Sequence, residues 1–133
     1  LSDLTKKIVR VSLAIRSGAF GRVSWGVMEE AGWLQAIESN LVVTKPTVTE
    51  VVEDVALGAA DVTIAWDVAT LGDARVDWVP AAGFENHEAV AAIGVLRSCR
   101  DQGRAVDFAN YCADPAAGGA IFEEMGFRVP GTQ

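Results

Sequence analysis

Residues 41–66 read LVVTKPTVTEVVEDVALGAADVTIAW, and the order of signals inside that stretch decides the fold. Leu41–Val43 is a short β-branched run that stops before Lys45-Pro46. Thr47-Val48-Thr49-Glu50 then has the form of a capping box, in which the Thr47 hydroxyl accepts an N–H three residues on and the Glu50 side chain reaches back. Gly58 stands where a helix places its C′ glycine. Val62–Trp66 follows as a nearly all-apolar run, the pattern of a strand covered on both faces. Strand, capped helix and strand in so short a space point to a mostly parallel sheet.

Working outward, Ile8–Ala14 is a further β-rich run that ends in the turn-like Arg16-Ser17-Gly18. From Gly21 the apolar positions Val23, Val27 and Met28 recur at helical spacing, and Gly32 supplies the stop. Beyond the central stretch, Arg75–Val79 and Ala89–Leu96 read as fourth and fifth strands. Asp101–Cys112 and Pro115–Met125 read as two helices, the second with Asp114 as N-cap, Pro115 at the first helical position and Gly126 past the end. The alternation predicts an α/β fold, a mostly parallel sheet flanked by helices. The expected division is an α/β ligand-binding lobe over 1–100 and a helical tail over 101–133.

The 133 residues suffice for one domain, or for one lobe of a two-lobed protein, and not for two complete α/β lobes. Half are apolar and 22% are charged, so the chain is globular rather than disordered. The net charge of −7, with Lys and Arg scattered, excludes a nucleic-acid surface, which needs clustered cations. It does not exclude an anion pocket, because local N–H donors and helix ends do not enter the charge count. No run reaches the ~20 apolar residues of a membrane span. Leu1–Arg10 lacks the apolar core of a signal peptide, so any export signal is expected upstream.

The chemistry-bearing residues are few. Cys99, Cys112 and His87 have no metal-ligand spacing, and neither a metal nor a cofactor is expected. The helix from Asp101 sets the two cysteines roughly 15 Å apart at 1.5 Å per residue, too far for a disulfide. Glu29-Glu30 and Glu53-Asp54 are sequence neighbours that do not share a helix face, and His87 has no Ser or Cys at motif spacing. No enzymatic constellation emerges.

In an open α/β sheet, ligands collect at the carboxyl ends of the strands, where helix N-termini present free N–H groups. Three segments qualify: Ser17-Gly18-Ala19-Phe20-Gly21, Thr47-Val48 and Trp66-Asp67. Each also has a plain structural reading, as a turn, a cap, a core aromatic and a second cap. The glycine loop lacks the lysine of a P-loop and the spacing of a dinucleotide fingerprint.

The order of segments resembles the periplasmic molybdate-binding proteins of ABC transporters, within the type II solute-binding class. The likeness is carried by Arg10-Val-Ser-Leu-Ala, Gly18-Ala-Phe-Gly21, Glu30-Ala-Gly-Trp33, Val48-Thr-Glu-Val-Val with Gly58-Ala-Ala-Asp61, and the tail Ile121-Phe-Glu-Glu-Met-Gly-Phe127. It covers nearly the whole chain, as the C-terminal lobe and tail of such a protein. The resemblance implies an oxyanion held by main-chain N–H groups of Phe20, with Ala19 or Gly21 nearby, and of Val48. In place of the family's strand-end Tyr hydroxyl stands Trp66, whose indole N–H is a donor only and so suits a fully ionised oxyanion. Asp67 becomes a candidate because some relatives coordinate the ion through carboxylates. The hydroxyl donors of the family's first lobe have no counterpart in these residues.

The resemblance implies a receptor for molybdate or tungstate, in the periplasm or outside the cell, with or without a lipid anchor, that delivers its ion to an ABC permease. The alternatives are a ligand-sensing regulatory domain of the same fold, a receptor for another small anion, or an enzyme on this scaffold. In the resembled family the tail packs on the first lobe. Val106, Phe108, Ala109, Ile121, Phe122 and Phe127 would otherwise leave apolar faces in water, so a homodimer through the tail is expected for this chain alone.

Overall fold

The computed structural model describes residue 6 and residues 8–81, 83–84 and 87–129. Within them the chain runs through β1 (Val11–Ala14), α1 (Ala19–Glu30), α2 (Leu34–Glu38), β2 (Leu41–Lys45), α3 (Val48–Ala56), β3 (Val62–Thr63), a single 3₁₀ turn (Asp67–Ala69), α4 (Gln102–Ala113) and α5 (Gly118–Glu124). The chain forms two compact units, Leu1–Glu88 and Ala89–Gln133.

The first unit is built on a three-stranded sheet of order β2-β1-β3. Both pairings are parallel: Val11 lies opposite Leu41 and Val62, and Ser12 opposite Val43 and Thr63. This is the expected α/β class. All four residues of β1 are buried, as a central strand covered on both faces requires. Val11 and Leu13 join a cluster with Phe20, Trp25 and Met28 of α1, Ile37 of α2 and Ile64. Ser12, wholly buried, donates its hydroxyl to Asp54 Oδ2 of α3 at 2.8 Å, and Lys45 lies 3.4 Å from the other oxygen of that carboxylate. A polar side chain thus sits in the central strand because an acceptor meets it there.

The helix ends follow local chemistry. Thr47 caps α3 and the capping box is complete. Gly32 and Gly58 have φ of +71° and +72°, left-handed backbone that a glycine adopts without steric cost. Each closes its helix with the paired bonds of a Schellman motif: Trp33 N–H to Met28 O with Gly32 N–H to Glu29 O, and Ala59 N–H to Asp54 O with Gly58 N–H to Val55 O. At the other edge of the sheet, Arg10 donates to both carboxylate oxygens of Asp61, at 2.6 and 3.2 Å, and fastens the segments leading into β1 and β3.

Several expected elements differ. β1 begins at Val11 rather than Ile8, which lies in a turn and is 87% exposed. β3 is two residues long, and 64–66 continue without ladder bonds. The fourth strand does not form over 75–79. Arg75 is instead held by Asp73 and Glu53, and Trp78 and Val79 are exposed. The fifth does not form over 89–96 either, and Val90 and Leu96 stand in solvent. An apolar run becomes a strand only where a neighbouring edge takes its N–H and C=O groups, and these two runs have none among the described residues. α1 starts at Ala19, so half of the expected loop is the first helical turn. α2 was not expected.

In the second unit α4 is capped by Asp101, whose carboxylate accepts the Arg104 N–H at 3.0 Å. Asp114 is not the N-cap of α5. Its carboxylate accepts the Ala116 N–H at 2.9 Å in a turn over 115–117, and the helix begins three residues later than Pro115. A Cβ on Gly118 would lie 2.7 Å from Cys112 Cα, and one on Gly119 would lie 2.7 Å from Asp114 O, so bare glycine backbone lets the turn close on the end of α4. α5 ends as expected at Gly126, with Phe122 packed edge-on against Phe127 at 5.7 Å.

Candidate functional site

Because the sheet is parallel, the carboxyl ends of β1, β2 and β3 lie at one edge, and each leads into a helix or turn there. The loop after β1 is compressed onto its own strand end. Gly18 donates its N–H to Ile15 O at 3.0 Å, and a Cβ on Gly18 would come 3.3 Å from that oxygen and 3.6 Å from Pro46 O. The start of α1 and the segment leading into α3 therefore touch. A Cβ on Gly21 would lie 1.8 Å from Ile15 O, far inside any non-bonded carbon–oxygen contact, so only glycine fits.

The third segment joins through its aromatic ring. Trp66 meets Phe20 edge-to-face, with centroids 4.6 Å apart. Phe20 is buried, so its side chain belongs to the core and only its main chain is available at the helix start. Trp66 is half-buried. No residue accepts its indole N–H among the described residues, and no buried side-chain nitrogen lacks a partner, so that N–H reaches solvent. Val48 is half-buried and packs on the same cluster. Asp67 is exposed as the first residue of the 3₁₀ turn, with its carboxylate on the Val68 N–H at 2.9 Å.

The two helix starts differ in what they leave free. At α3, Glu50 N–H is satisfied by Thr47 Oγ1, and Thr47 N–H by Glu50 Oε2. The N–H groups of Val48 and Thr49 have no acceptor among the described residues. At α1 the N-cap is Gly18, with no side-chain cap and no acidic residue in the first turn. Ala19, Phe20 and Gly21 thus present three consecutive N–H groups with no acceptor among the described residues, at the positive end of a twelve-residue helix. Arg22 adds a cation there and holds the loop by donating to Ser17 O at 2.9 Å. Reading the sequence alone missed both Arg22 and the closeness of Gly18 to Pro46.

Other cations and sites contribute little at this edge. Arg16 is engaged by Glu38 at 2.8 Å and lies over the Trp25 ring at 4.2 Å. The displaced acidities lie elsewhere. Arg75 donates to Asp73 through its side chain and backbone and lowers that carboxyl to about 2, while Asp73 and Glu53 raise the Arg75 guanidinium. Asp61 is likewise lowered by hydrogen bonds from Arg10. Among the described residues no group of three His, Cys, Asp or Glu could hold a metal ion. His87 is exposed beside Phe84. The second unit has an open groove of about 390 Å³ lined by Ile93, Val95, Leu96, Cys99 and Phe108. Its lining carries no charge and is mostly apolar.

The family model described as bacterial extracellular solute-binding protein matches residues 1–128. The chain belongs to that family. No curated protein and no solved structure matches it. As a solute-binding protein the chain has a substrate-binding role in the periplasm or outside the cell, with a small-molecule ligand and, in general, an ABC permease as partner. The family is one of receptors, generally without enzymatic activity. No helix among the described residues is long and apolar enough to cross a membrane.

Proposed function

We propose that this chain is the ligand-binding lobe of a receptor for a small oxyanion, with molybdate or tungstate the first candidates. The donors are the main-chain N–H groups of Ala19, Phe20, Gly21 and Val48 and the indole N–H of Trp66. The observation that carries the reading is the bare N-terminus of α1: three N–H groups without acceptors among the described residues, no capping side chain, and Arg22 beside them. Such a start lacks a side-chain acceptor, worth about a few tenths of a kcal/mol over a glycine cap, and an anionic ligand supplies the acceptor it lacks. Trp66 suits an ion that only accepts hydrogen bonds. Asp67 takes part where the ion's central atom accepts a carboxylate oxygen.

The reading includes the tail over 101–133. Val106, Phe108, Tyr111, Ile121 and Met125 are each 46% exposed or more, and α4 buries no residue. In a complete receptor a first lobe covers this face; for the chain alone, a second copy does. Light scattering on the chain is expected to give a dimer, and a compact monomer would remove that part. For the ligand, calorimetric titration with molybdate, tungstate, sulfate and phosphate is expected to give heat with molybdate or tungstate. Heat from sulfate or phosphate alone would reassign the ion.

A further inference from the structure

No further inference is drawn: the strongest candidate, the open apolar groove of the second unit that Ile93, Val95, Leu96, Cys99 and Phe108 line beside α4, carries none because nothing in the structure shows what covers it.

Discussion

Gly21→Ala and Gly26→Ala place the same methyl group on the same helix and are expected to act in opposite directions. On Gly21 the new Cβ would lie 1.8 Å from Ile15 O, 2.7 Å from Ile15 C and 3.3 Å from Arg16 Cα. All three are backbone atoms of the turn that leaves β1, so no side-chain rotation relieves the overlap. Either α1 shifts by more than an ångström or the turn reopens. Overpacking of this kind costs ~1–3 kcal/mol or more. Against it stands the helix-propensity gain of Ala over Gly, about 1 kcal/mol. The net expectation is a loss of up to ~2 kcal/mol, or more where the backbone cannot shift, together with loss of ligand affinity, because the same turn leads into the N–H groups of Ala19 and Phe20. At Gly26 a Cβ meets nothing within 4 Å, so only the propensity gain applies. Urea unfolding followed by circular dichroism on both variants measures the difference. Equal stability of the two would refute the close approach of Gly21 to Ile15.

Three further outcomes follow from the same geometry. Thr47→Ala removes the acceptor of the Glu50 N–H and is expected to cost ~1 kcal/mol in urea unfolding with the fold retained. Asp73 is expected to titrate near pH 2 by carboxyl NMR, and in Arg75→Ala to return toward the ordinary carboxylate range. Since its folded value is depressed, its contribution to stability is complete above the unfolded value of about 3.9 and is lost as pH falls through about 2. Cys99 and Cys112, both free thiols, are expected to react as two equivalents with a thiol reagent in denaturant without reductant, and a recovered crosslinked peptide would contradict this.

What could be read ahead of the structure was what is written locally. The start of α3 needs only Thr47 and Glu50, its end only Gly58, and all three act where expected. Strands are another matter. Arg75–Val79 and Ala89–Leu96 have strand composition, but a ladder depends on a distant edge that composition does not encode. Asp114 shows the same ambiguity on a smaller scale, because an aspartate before proline serves a helix cap and a side-chain turn equally well. At the site, the helix start at Val48 was legible, while α1 begins at Ala19, inside the segment expected to be loop. The ring contact that ties Phe20 to Trp66 and the contact of Gly18 with Pro46 were not, since both join residues far apart in sequence.

The central claim is that an oxyanion sits on the bare helix start of α1, beside the start of α3 and Trp66. Amide-resolved NMR of the isotope-labelled chain during addition of molybdate tests it most directly. The account predicts saturable shifts concentrated at the N–H groups of Ala19, Phe20, Gly21 and Val48 and at the Trp66 indole. Saturable shifts confined to other residues, or none up to millimolar ion, would contradict it.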